Sequence, residues 1–133
     1  MCLHPTEEGL KKYDGKKGTF KFYKVFEDII IDKKRVLRSP YQRHIISKPG
    51  RINLPKNSPA FDISESRLGF TIINGGCFHA YDCSDAAYWR CNTGDVIIPI
   101  YVKGNDIIAA DDSANEVCFF SYEIKKEDWN WWK

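Results

Sequence analysis

Four residues with lone pairs suited to soft metals fall within fifteen positions: Cys77, His79, Cys83 and Cys91. Their spacing, C-x-H-x3-C-x7-C, matches no standard zinc knuckle, which pairs ligands at C-x2–4-C and adds a distant second pair. A strand over Cys77–Tyr81 puts Cys77 and His79 on one face, so two ligands converge. Free cysteine is ordinarily a small buried hydrophobe, and no metal is assigned. Thiol catalysis needs a base beside the sulfur. His79 is the obvious partner for it, but no residue is marked to orient its ring.

These residues belong to the densest stretch of glycine, cysteine and aromatic residues in the chain, Asn74–Trp89 (N-G-G-C-F-H-A-Y-D-C-S-D-A-A-Y-W). Asn74-Gly75-Gly76 is a strong turn signal. In the strand that follows, Phe78 and Ala80 share one face and Cys77, His79 and Tyr81 the other. Ser84 is placed to N-cap a short helix, Asp85–Cys91, with Asp85 in its first turn. Thr93-Gly94-Asp95 ends that helix. This stretch is the part of the chain that shapes a site, and Phe78, His79 and Tyr81 are its candidate ligand contacts.

Walker A, G-x-G-x-x-G, H-E-x-x-H and G-x-S-x-G patterns are all absent. Charge is unevenly spread although the net is only +2. Residues 1–56 hold fourteen Lys/Arg against six Asp/Glu, and residues 57–133 hold six against twelve. If the halves occupy different faces, one attracts an acidic partner; equally, such lysines keep a β-rich protein soluble and block its edges. Lys21, Lys24, Arg35, Arg38 and Arg43 are the candidate partner-binding cations. Tyr23, Tyr41 and His44 lie among them, an arrangement that on a sheet face would contact phosphates and stack bases.

The elements that position these residues read mostly as strands. Residues 1–18 form a polar lead-in, with Asp14–Gly18 as a hinge and Thr6 as N-cap of a helical turn at Thr6–Lys12. Thr19–Phe26 reads as a strand with Phe20, Phe22 and Lys24 on one face. Ile29–Ile31, the turn Asp32-Lys33-Lys34 and Arg35–Leu37 read as a hairpin. Tyr41–Ser47 reads as a short strand, and Pro49, Pro55 and Pro59 break a long irregular stretch. One helical turn is expected in Phe61–Leu68, and a strand at Gly69–Ile73. Val96–Val102 is a strand whose Pro99 suggests an edge or a bulge. With Asp106–Ala110 and Glu116–Ile124 it predicts an antiparallel meander. Trp129, Trp131 and Trp132 are placed to clamp the C-terminus onto the core.

A chain of 133 residues with 43% hydrophobic and 14% aromatic content suits one globular domain. No apolar run approaches the ~20 residues of a membrane span, and the N-terminus lacks the pattern of a secretory signal. Five cysteines, an odd number, read as free thiols in a reducing compartment. The expected fold class is α+β: a single compact β-rich domain, residues 19–126, with a twisted antiparallel sheet and one or two short helices. Residues 127–133 are an aromatic tail packed on it.

The pieces K-F-Y-K-V-F, R-S-P-Y, K-P-G, F-H-A-Y, D-A-A-Y and V-I-I-P-I-Y-V-K-G-N-D-I-I, in order over about residues 20–125, resemble small phage and prophage proteins of unassigned function. That resemblance implies a mobile-element protein of a bacterial cytoplasm that binds and inhibits or modulates a host or defence protein, as anti-CRISPR proteins do, with no cofactor. The core is also similar to ADP-ribosyltransferases of the diphtheria-toxin and poly-ADP-ribose polymerase kind. Gly76–Ala80 and Ala86-Ala87-Tyr88 stand for their G-x-Y-F-A and A-x-x-Y motifs, and Asn115-Glu116-Val117 for the N-E-Y strand opening. This alternative implies NAD as cofactor, Tyr88 stacked on nicotinamide and Glu116 as catalytic carboxylate. It departs at the first-strand H-G-[ST], where Phe22-Tyr23-Lys24 stands, and at Phe78, where a tyrosine is expected. A further alternative is nucleic-acid binding through the basic N-terminal half.

Overall fold

In the computed structural model, the described residues are 2–3, 7–13, 17–39, 45–53, 62–65, 71–74, 77–111 and 114–130. Arg43, Thr6, Gly75, Gly76, Trp131 and Trp132 lie outside them.

The spine is β2 (Thr19–Ile31), thirteen residues long. Its aromatic and β-branched run, T-F-K-F-Y-K-V-F-E-D-I-I-I, has no glycine or proline to break it. The interruption expected after Phe26 does not occur. One edge of β2 pairs with β9 (Asp95–Lys103), from Thr19↔Lys103 to Glu27↔Asp95. The other edge meets β8 (Phe78–Tyr81) at a single pair, Tyr23↔Tyr81. It then turns back on itself as the hairpin to β3 (Lys34–Arg38). Asp32 and Lys33 both take positive φ, 50° and 65°, as a two-residue turn with both central residues left-handed demands.

The remaining strands are β4 (Ile45–Ile46), β5 (Gly50–Asn53), β10 (Ile107–Asp111), β11 (Glu116–Phe119) and β12 (Ser121–Ile124). Among the described residues the main sheet runs β10-β11-β8-β2-β9-β12-β5, with β3 and β4 branching from β2. The expected meander is therefore corrected. β9 and β10 are consecutive in sequence but not neighbours in the sheet. The expected third strand, Glu116–Ile124, is two strands broken at Phe120. Its first half pairs with β8 and β10, and its second half with β9 and β5. Strands separated by β8, β2 and β9 are thus joined by one residue, which requires the sheet to curl round on itself.

The curl encloses the core. Even-numbered residues point inward along β2, β8 and β9: Phe22, Phe26, Phe78, Ala80, Ile98, Ile100 and Val102. The break at Phe120 switches the parity, so Val117 and Phe119 face inward before it and Tyr122 and Ile124 after it. Phe78 meets Tyr122 edge to face at 4.9 Å, and Phe119 meets Tyr122 at 5.8 Å. Such ring pairs bury large apolar areas with defined geometry.

Other expectations change in detail. Pro99 lies in an interior strand, not at an edge. The β9 ladder to β12 has one pair, Glu123↔Tyr101, two residues beyond the proline, which lacks an N–H to donate. The polar lead-in contributes to the core: Tyr13 is buried there and Leu10 of α1 (Glu7–Lys11) packs against it. The helical turn expected in Phe61–Leu68 is instead strand β6 (Asp62–Glu65). It pairs with β7 (Thr71–Asn74), which pairs in turn with β1 (Cys2–Leu3) in a second, three-stranded sheet. β1 lies against β11. Helix α2 spans Ser84–Tyr88, and its N-cap is Cys83 without a side-chain bond, not Ser84. Among the described residues no helix is long and apolar enough to cross a membrane.

Candidate functional site

The face of β8 and β11 turned away from the aromatic core carries the chemistry. Alternation places Cys77, His79 and Tyr81 there, and register brings Cys118 opposite His79 and Glu116 opposite Tyr81. Asp111 of β10 extends the second row, opposite Glu116. Helix α2 covers part of this face, with Ala87 buried against Val25 and Tyr81.

Lys24 joins this group from the other side of the sheet. Its parity points it toward Phe22 and Phe26, and it is only 3% exposed. Because β2 and β8 share one Cα pair, the ladder between them opens beside Lys24. The amine donates there to the His79 carbonyl at 2.9 Å. Its Nζ also lies 5.4 Å and 5.6 Å from the Phe26 and Phe78 ring centroids. Burial pushes its pKa down to about 7, against the opposing pull of Glu116, because a low-dielectric site disfavours the charged form.

Glu116 responds in the opposite sense to the same burial. Its carboxyl is pushed up to about 7, chiefly by desolvation and further by Asp111, while the Tyr81 hydroxyl bond and the charges of Arg90 and Lys24 pull it down. Glu116 Oε2 is buried with no hydrogen-bond partner among the described residues. Burial, then the Lys24 charge, takes His79 down to about 3, so its imidazole is neutral across the physiological range. Lys24, Val25, His79, Tyr81, Arg90, Asn92 and Asp95 line a cavity of about 150 Å³. That is below the ~300 Å³ of ordinary cofactor pockets.

Cys77 and Cys118 are joined as a disulfide, which corrects the reading of every cysteine as a free thiol. Cys83 and Cys91 are free. Register brings the pair within reach: Cys118 is opposite His79, and Cys77 lies two residues before His79, immediately before β8. Cys77 Sγ is 3.6 Å from His79 Nε2.

A second feature is external. Tyr88 and Trp89, at the end of α2, are 69% and 82% exposed. Their rings meet nearly at right angles, 6.3 Å apart. They form one rim of a groove of about 490 Å³, completed by Cys91, Asn92, Thr93, Asp95 and Ile97. A second hollow of about 420 Å³, lined by Glu27, Asp28, Ile29, Asn92, Thr93, Gly94 and Asp95, adjoins it.

The candidates divide accordingly. His79 and Tyr81 line the cavity. Phe78 does not: it is 1% exposed in the aromatic core, because its alternation with His79 turns it inward. Tyr88 and Glu116 are set apart: Tyr88 lies on the groove rim and Glu116 is buried in the interior. Of the cations named for partner binding, Lys24 is buried. Arg35 pairs with Asp28 and Arg38 with Glu27 across the β2–β3 hairpin. Lys21 is exposed, its amine 5.5 Å from the Tyr23 ring centroid. Cys118, Asp111 and Arg90 were not singled out in the sequence. The alternation of Glu116, Cys118 and Phe120 marked Cys118 as sharing a face with Glu116, but nothing local pointed to Asp111 or Arg90. Comparison with protein-family models, curated proteins and solved structures gives no match to this chain.

Proposed function

We propose that the protein works by binding a partner protein through the Tyr88–Trp89 rim, as a small inhibitor or modulator of the mobile-element type acting on a host or defence protein. The exposure of Trp89 carries this reading. Tryptophan and tyrosine dominate binding hot spots because they bury large area at small conformational cost. Here two adjacent rings stand largely in solvent beside a concave surface, rather than folded onto the core as Trp129 is. The contiguous hollow extends the surface toward the β2–β3 hairpin, whose Ile30 is 71% exposed. Pairing of Arg35 and Arg38 with carboxylates takes two of the named cations away from a phosphate backbone, which favours a protein over a nucleic acid as partner. The ADP-ribosyltransferase alternative would rest on Glu116, and the burial of that carboxylate gives the reading less support.

Site-specific photocrosslinking tests the proposal. A benzophenone side chain at position 89 should yield one protein adduct in nuclease-treated bacterial lysate. The same group at exposed position 126, outside the groove, should not. Equal adduct patterns from both positions, or none from position 89, would contradict it.

A further inference from the structure

We propose that Cys77, His79 and Cys118 form a binding site for one thiophilic d10 cation, such as Zn2+, when the Cys77–Cys118 disulfide is reduced. The three ligand atoms lie within 4.8 Å of one another and all three residues are buried. Zn–S and Zn–N bonds of about 2.3 and 2.05 Å, at a tetrahedral angle, set the S···N edge of a site at about 3.6 Å. Cys77 Sγ and His79 Nε2 are 3.6 Å apart. Geometry that a bound ion would impose is thus already present on one edge. The strand frame supplies it: Cys77 immediately precedes β8, two residues before His79, and Cys118 is directly opposite His79 on β11. Ala109 is the other buried member of this small cluster, and Ile108 packs against it.

Disulfide and metal are alternative staples between β8 and β11. A low-molecular-weight thiol supplies the two electrons: two such thiols are oxidised to their own disulfide as the protein disulfide is reduced to two thiols. Metal binding then forms two metal–sulfur bonds and releases the two thiol protons to water. The sequence spacing concealed the site because its third ligand lies forty-one residues from Cys77 and is brought in only by strand pairing.

The test uses the full chain, reduced with a phosphine, desalted without oxygen and titrated with Co2+ and then Zn2+. One equivalent of Co2+ should give tetrahedral d–d bands and a sulfur-to-metal charge-transfer band, and one equivalent of Zn2+ should abolish both. His79→Gln and Cys118→Ser should each bind at least tenfold more weakly, with far-ultraviolet circular dichroism unchanged. Alkylation of the zinc-loaded wild type, followed by mass spectrometry, needs no variant to fold. Cys77 and Cys118 should be protected while Cys83 and Cys91 react. No charge-transfer band in the reduced wild type, undiminished binding in both variants, or alkylation of Cys77 and Cys118 at the rate of Cys83 would each overturn the proposal.

Discussion

Tyr122 sits at the centre of the aromatic core, fully buried, with a hydroxyl that has no hydrogen-bond partner among the described residues. A buried unsatisfied hydroxyl costs about 1–3 kcal/mol, while the ring contacts with Phe78 and Phe119 survive its removal. Tyr122→Phe should therefore raise the unfolding free energy by about 1 kcal/mol in urea titration. Lys24 makes a prediction of a different kind. Its folded pKa of about 7 lies below the ordinary 10.5, so between those values the unfolded chain binds more protons than the folded one. Stability then rises with pH across that window, by up to ~1.4 kcal/mol per pH unit. Lys24→Met removes the titrating group, and its urea midpoints at pH 7, 8.5 and 10 should lack the Lys24-dependent rise seen in wild type. Identical pH slopes in the two proteins would contradict the buried placement of the amine. That placement was legible in part. The sequence puts Lys24 on the face of Phe20 and Phe22, yet a lysine in a basic segment reads as a surface cation. Only the opening of the β2–β8 ladder gives its amine a carbonyl to bond.

At the scale of elements, the β2–β3 turn is a clean case. Asp32-Lys33 was readable as a turn from its charge between two apolar runs. Its residues are not the ones that geometry prefers: a left-handed lysine costs roughly 1 kcal/mol, and Asp-Gly is the favoured pair. Lys33→Gly should stabilise the protein by about 0.5 kcal/mol after the added chain entropy of glycine, visible as a higher thermal midpoint. No change or a lower midpoint would argue against this backbone conformation. Helix α2 shows the opposite relation of sequence to structure. Its existence and approximate position were clear from D-A-A-Y between a strand and Thr93-Gly94, but its orientation was not. Ala87 faces the sheet because small residues allow close approach, and that choice rotates Tyr88 and Trp89 outward. A five-residue helix is too short for periodicity to reveal which side is buried.

For the whole molecule, fold class followed from composition and alternation, and topology did not. Strand-rich character, the hairpin and the inward parity of Phe78 and Ala80 are local properties with local causes. The curl of the sheet depends on one residue, Phe120, at which a single apolar run becomes two strands on opposite sides of β8, β2 and β9. Nothing in V-C-F-F-S-Y announces that break, because both halves alternate correctly once the parity has switched. The same long-range pairing brings Cys118 to His79, so the Cys/His cluster was as hidden as the topology that makes it. The proposed binding surface, in contrast, is local: Tyr88 and Trp89 are consecutive in sequence and stand together at the end of one helix.

The most direct measurement is side-by-side affinity capture of the tagged wild type, Tyr88→Ala/Trp89→Ala and Glu116→Gln from nuclease-treated bacterial lysate, with NAD-derived label present. Wild type and Glu116→Gln should retain the same stoichiometric protein. The double variant, folded by circular dichroism, should lose at least tenfold of it. Equal retention by the double variant, or label transferred to a protein by wild type and not by Glu116→Gln, would contradict partner binding through this rim.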